Sequence, residues 1–338
     1  MTRIALKDIA ERAGVSVATV SLALRGKGEV AHHTIERVRR IAEEIGYRPN
    51  PVLSALASKR FSEARSIKGT GVALLEFPVL PGGRYVKESQ YRPGLMEEAH
   101  RLGYTVSVVT PEDIPDVPAL FHRLYHRAVQ GLIISGSFDP ATWGKDFDWD
   151  AFSIVQCARY GVAGPFHTVR PNVFQTVKTV FHTLLARGYR RIGFAIGRHE
   201  TIIEDDEDRH GTAFALISEH LSRAERIPIY LGPHADRKAF VKWVQAHKPD
   251  VVVGFTSGHY WYLREAGYRI PDDVGFVALH QTESGPPAIA GMRQNTREIA
   301  RQTVYLLDQL VRTQTRGLAG HPMDLLIPSL WENGDTIK

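Results

Sequence analysis

The stretch "VSVATVSLALRG", residues 15–26, sets apolar side chains at Val20 and Leu24, the i, i+4 spacing of a helix face turned inward. The opposite face is then Val17, Ala18, Ser21 and Leu22, and Ser16 stands where its hydroxyl caps the first turn. Upstream, Leu6, Ile9, Ala10 and Ala13 form a second helical stripe, which Gly14 ends as a residue tolerant of positive φ. Downstream, Ile35, Val38, Ile41, Ala42 and Ile45 form a third, ended by Gly46. Three short helices around a small core, with the second presented outward, have helix-turn-helix geometry over residues 1–49.

Charge location indicates what the presented helix meets. The chain carries 42 Lys and Arg against 37 Asp and Glu, and the surplus of five lies wholly within residues 1–65. A basic head on a neutral body points to double-stranded DNA as a partner.

The segments "LKDIAERAGVSVATVSLALRG" and "IGYRPNP" resemble the DNA-binding head of the lactose and galactose repressor (LacI/GalR) family. The resemblance implies that the second helix enters the major groove with Val17, Ala18 and Leu22 toward base edges. Ser16, Thr19 and Ser21 then lie nearer phosphates, and Arg25 completes that helix's DNA-facing set. Many relatives carry Arg where this chain has Leu22. Arg pairs with guanine, whereas Leu offers only apolar contact such as a thymine methyl, so the half-site is expected to differ. Ala5 and Ala31 stand where Ser or Thr often caps a helix.

Residues 50–62 read as a linker with helical propensity: Asn50 and Pro51 suit the N-cap and first turn, and Leu53, Leu56, Ala57 and Phe61 lack an evident core. By resemblance this is a hinge helix that orders when two copies pair over the operator. Leu56 then wedges into the minor groove, with Asn50 and Leu53 also at the DNA.

Beyond residue 66, apolar runs at 71–77, 105–109, 131–135, 192–196, 251–255 and 274–279 alternate with helical patterns, as buried parallel strands do. Gly-Tyr pairs at Gly103, Gly188 and Gly267 each end a helix before a strand. The expected fold class is a small all-α helix-turn-helix head plus an α/β body of doubly wound parallel sheets. The resemblance makes that body two-lobed and periplasmic-binding-protein-like, spanning 66–338. Lobe 1 covers about 66–164 and 293–323, and lobe 2 about 165–292 and 324–338. The passages between lobes are expected near 163–166, 290–294 and 322–326.

Ligands of such sheets collect at strand carboxyl ends, here the cleft between lobes. The candidates for that site are Phe77, Arg159, Arg209, His210, Trp261 and His280. The family's Arg register falls on His210, with Arg209 one place earlier, and either residue could serve. Carboxylates that commonly hold sugar hydroxyls are replaced by Ser257-Gly258 and His280-Gln281. For His280 a solvated loop position is the alternative, for Arg209 a surface ion pair, and for Phe77 and Trp261 a place in the core. The expected effector is a small molecule, a sugar or sugar derivative.

Other chemistry finds little support. The single cysteine, Cys157, permits no intrachain disulfide and suits a buried structural thiol in a reducing cytoplasm. The run "EDDED" at 204–208 reads as a solvated acidic loop, and neither zinc-ligand spacing, a phosphate loop nor a GxSxG elbow is present. There is no signal peptide and no apolar stretch of membrane-spanning length. An exported solute-binding protein and an α/β enzyme with a fused DNA-binding head are thus the lesser readings. The expectation is a homodimeric, cytoplasmic, nucleoid-associated regulator with no membrane partner, no cofactor or metal and no enzymatic activity.

Overall fold

The computed structural model describes residues 6–25, 30–45, 47, 71–77, 89–114, 116–136, 138–159, 164–197, 204–281 and 288–338. The chain divides into two compact units, Met1–Ile67 and Lys68–Lys338.

In the first unit, α1 (Leu6–Ala13), α2 (Val17–Arg25) and α3 (His32–Glu44) enclose a core in which Ile9, Val20, Ala23 and Val38 are fully buried. Gly14 adopts φ +65°, and the amide of Val15 donates to the carbonyl of Ala10 at 3.1 Å, closing α1 with a six-to-one bond. The Thr19 amide donates to Ser16 Oγ at 3.0 Å, so Ser16 caps α2 as expected. Ala31 heads α3 with no side-chain cap.

The same closing device recurs through the second unit. Gly103, Gly188 and Gly267 have φ near +90° (+88°, +91° and +90°), and the amide of the following tyrosine reaches back to Ala99, Leu184 and Leu263 respectively. Each Gly-Tyr pair is therefore a helix stop.

The second unit contains two sheets. The first holds β1 (Gly71–Glu76), β2 (Thr105–Val109), β3 (Val129–Gly136), β4 (Ser153–Arg159), β5 (His167–Pro171) and β10 (Asp324–Ile327), in the order β10-β5-β4-β3-β1-β2, all parallel. The second holds β6 (Ile192–Ala195), β7 (Val251–Gly254), β8 (Gly275–Ala278), β9 (Gly291–Arg293) and β11 (Leu330–Glu332), in the order β11-β9-β8-β7-β6. Only β11 runs antiparallel to its neighbour, β9.

Helices α4 (Arg92–Arg101), α5 (Val117–His126) and α10 (Thr296–Thr313) cover the first sheet, and α6 (Val173–Ala186), α7 (Glu204–His220), α8 (Arg237–His247) and α9 (Gly258–Glu265) cover the second. The second sheet shows the period of two in its burial. Phe194, Val251, Val253 and Val277 pack on the side of α6 and α7, while Ala195, Val252, Phe276 and Ala278 pack on the side of α8 and α9. Between β3 and β4 three short 3-10 turns replace a helix, and their Trp143, Phe147 and Trp149 fill the face with aromatic rings.

Three expectations are corrected. Strands β5 and β10 lie in the first sheet rather than in the second lobe, because β5 pairs with β4, Gln156 with Thr168, and β10 adds to β5, Asp324 with Thr168. The passages therefore fall at Asn172, at 294–295 and at 328–329. The run at 105–109 is an edge strand, in which only Val109 is buried. The acidic run at 204–208 opens α7 rather than forming a solvated loop, and Asp206 is 1% exposed; negative charge is favoured at a helix start. Cys157 is buried as expected, which pushes its thiol up to about 12. No helix among the described residues is long and apolar enough to cross a membrane.

Candidate functional site

Two surfaces carry the functional residues, one on each unit. On the first, α2 buries Val20 and Ala23 and leaves Val17 and Leu22 exposed, 44% and 42%, with Ala18 exposed between them. Large apolar side chains held in water on a capped, rigid helix are surface available to a partner. Ser16 Oγ lies 2.8 Å from Thr19 Oγ1 at the helix start, where backbone N–H groups favour phosphate. Ser21 and Arg25 belong to α2 by backbone, and their side chains lie outside the described residues, as do Asn50, Leu53 and Leu56 entirely. Ion pairs on this unit, Lys7 with Glu11 at 3.7 Å and Arg40 with Glu44 at 3.8 Å, are exposed and contribute little to stability.

The second surface lies at the carboxyl ends of the two sheets. Arg170, near the end of β5, is 7% exposed. Its Nη1 donates to Asp205 at 2.7 Å and lies 3.6 Å from Asp208, both on the first turns of α7, while its Nε donates to Asp324 of β10 at 2.9 Å. Burial disfavours its charge, but the carboxylates of Asp205, Asp324 and Asp208 outweigh that penalty and raise its pKa. Through this network the carboxyl end of β5, in the first sheet, is tied to α7, the helix that follows β6 of the second.

One turn further along α7, Arg209 is buried and paired with Asp206. Its guanidinium carbon sits 4.6 Å from the centre of the Phe255 ring, at the end of β7. His280, at the end of β8, meets the same ring edge-on at 5.9 Å, and its amide donates to the Phe255 carbonyl at 2.8 Å. Burial and the charge of Arg209 hold the His280 pKa below its ordinary value. His210 Nε2 lies 2.9 Å from the carbonyl of Gly197, just past β6. Arg209 and His280 thus meet at one ring, Phe255, which sequence reasoning passed over, while His210 lies against the Gly197 carbonyl. Arg209 is thus a buried residue in a buried ion pair rather than a surface one, and His280 is half-buried.

On the first lobe's rim, Glu76 at the end of β1 is buried and accepts from Arg92 Nε at 3.0 Å. Phe77 follows it, stacked on Phe138 at 4.4 Å and edge-on to Trp143 at 6.1 Å. Phe77 thus joins the aromatic layer of that lobe. Arg159 ends β4 with its backbone beside Gly136, and its side chain lies outside the described residues. Trp261 is 44% exposed on α9, edge-on to Tyr260 at 5.0 Å. Among the described residues no group of three or more His, Cys, Asp or Glu could hold a metal ion.

Sequence could have flagged Phe255 as the aromatic that ends a buried run at a strand's carboxyl edge. Arg170, the charged residue inside "HTVRP", was equally open to notice.

Residues 5–50 match the bacterial regulatory proteins of the lacI family, and residues 181–330 match the periplasmic binding protein-like domain. Catabolite control protein A of Staphylococcus xylosus is 23% identical over 322 residues, spanning 92% of this chain and 93% of the relative. Among solved structures, a transcriptional regulator CelR–cellobiose complex superposes with a TM-score of 0.59 at 20% identity, covering 99% of this chain and 100% of that one. The Lac repressor bound to ONPG in its repressed state superposes at 0.56, also at 20% identity, covering 99% and 100%.

Proposed function

We propose that this chain, whose residues 5–50 match the lacI family of bacterial regulatory proteins and residues 181–330 the periplasmic binding protein-like domain, is a homodimeric repressor that binds a near-palindromic operator and responds to a small molecule between its lobes. The observation that carries the DNA-binding half is the exposed face of α2, where Val17, Ala18 and Leu22 stand outward over a core closed by Val20 and Ala23. A helix of this size fits the major groove, and two heads reading two half-sites account for the palindrome. In this reading Ser16, Thr19, Ser21 and Arg25 contact the backbone around it, and Asn50, Leu53 and Leu56 belong to a hinge that pairs across the dimer.

The effector half rests on the meeting of Arg209 and His280 at the Phe255 ring, with His210, Phe77, Arg159 and Trp261 as further candidate contacts. Cellobiose in a structural neighbour supports a sugar or sugar derivative as the class of ligand. The effector must bind two lobe arrangements unequally to change DNA affinity, and DNA then changes effector affinity by the same factor. The chain acts at the bacterial chromosome, within the cytoplasm, without cofactor or turnover.

The test is selection of duplexes by the purified chain from a random pool, followed by sedimentation of the complex and transcription from a promoter bearing the selected site. Two protomers on one inverted repeat, with lowered transcription, is the expected result. A single protomer on an asymmetric site, or transcription unchanged, contradicts it.

A further inference from the structure

Building on the reading of the crevice as an effector site, we propose that the effector carries an oxyanion, a carboxylate or phosphate on a sugar-sized skeleton, held by Arg209 and His280 at the rim of Phe255.

The argument is an account of donors and acceptors. Arg209 Nε is buried and has no hydrogen-bond partner, although its Nη2 is paired with Asp206. A buried N–H left without an acceptor costs about 1 to 3 kcal/mol, and such groups persist where a ligand completes them. His280, half-buried beside it, has no described hydrogen bond from its ring. The site thus presents donors that lack acceptors.

The carboxylates that could hold sugar hydroxyls are committed elsewhere. Asp205 and Asp208 face Arg170, Asp206 faces Arg209, Asp324 also faces Arg170, and Glu76 faces Arg92. A hydroxyl needs an acceptor for its own proton as well as a donor, whereas an ionised carboxylate or phosphate only accepts. The rim that Arg209 and His280 form suits the second kind of group, because a charge-assisted bond to guanidinium is shorter and stronger than a neutral one.

The experiment measures the unfolding temperature of the full chain against neutral hexoses, pentoses and nucleosides, each matched with its carboxylate and its monophosphate. D-glucose, D-gluconate and D-glucose 6-phosphate form the first set. The variants are Arg209→Met and His280→Phe, the second of which unpairs no buried charge. Stabilisation by an acid but not its neutral parent, with affinity reduced roughly tenfold or more in both variants, is the expected result. Whether the carboxylate or the phosphate stabilises identifies the oxyanion. Equal stabilisation by the neutral parent, indifferent to both variants, overturns the oxyanion and leaves the crevice as an effector site. Stabilisation by no member of the panel overturns both.

Discussion

Arg170 Nη1 stands 2.7 Å from Asp205 Oδ1, and this bond joins the last turn-side residues of a first-sheet strand to the helix that follows the first strand of the other sheet. The ion pair is nearly closed to water, with side-chain exposures of 9% and 16%. It is therefore a link between lobes, placed beside the first of the three passages.

Removing one member of such a pair strands the other. Arg170→Met leaves Asp205, Asp208 and Asp324 facing one another without a cation, and the chain should lose about 3 to 5 kcal/mol of stability. Asp324→Asn should cost less, because that carboxylate is more open to water and its amide still accepts from Nε. Urea unfolding of the full chain measures both. Equal, small losses in the two variants would show that Arg170 is not the centre of the network.

The acid limb of stability should depend on His259. This residue, buried on α9 with neither ring nitrogen hydrogen-bonded, has its pKa pushed down to about 3 by burial and by the neighbouring His234. Its folded form is neutral where the unfolded form, with an ordinary pKa of about 6.5, takes up a proton. The stability is thus complete above pH 6.5 and is lost as pH falls toward 3, at a limit of about 1.4 kcal/mol per pH unit. His259→Phe should flatten the unfolding free energy over that window. An unchanged acid limb would assign it to other groups.

Leu22 should set one base of the half-site. Leu22→Arg is expected to favour guanine at that position by about 1 to 3 kcal/mol, through a bidentate pair that Leu cannot make. Parallel selections with the two proteins test this, and convergence of both pools on one sequence counts against it.

Leu56 lies outside the described residues, and its expected role is testable without a structure. As a minor-groove wedge it should contribute to operator binding far more than to binding of random DNA, and flexible pyrimidine-purine steps should mark the operator centre. Leu56→Ala should reduce both the preference and the bend. Equal loss on both duplexes would make residues 50–62 a tether.

The head was legible because its signals are local. The 3.6-residue period, the Ser16 cap and the Gly14 stop each lie within one turn of the helix they shape, and the Gly-Tyr stops in the body are equally local. Central strands such as β7 and β8 were legible as unbroken apolar runs, because both of their faces are covered. Strands β5 and β10 were not, since β10 becomes a strand only through a partner far away in sequence and each carries a charge, Arg170 or Asp324, that reads as loop. The acidic run at 204–208 misled for the same reason: what neutralises Asp205 is Arg170, on another element. Arg209, His210 and His280 were singled out, but Phe255, the ring that gathers Arg209 and His280, follows only from three strands ending side by side.

The most direct test of the central claim, a sequence-reading head on an effector-binding body, is the equilibrium affinity of the full chain for its selected duplex and for a scrambled duplex of the same composition, across a salt series. The account predicts affinity for the selected site roughly a thousandfold or more tighter at physiological salt, with both affinities falling steeply as salt rises because Lys and Arg release condensed counterions. Equal affinity for the two duplexes, or binding indifferent to salt, would contradict it.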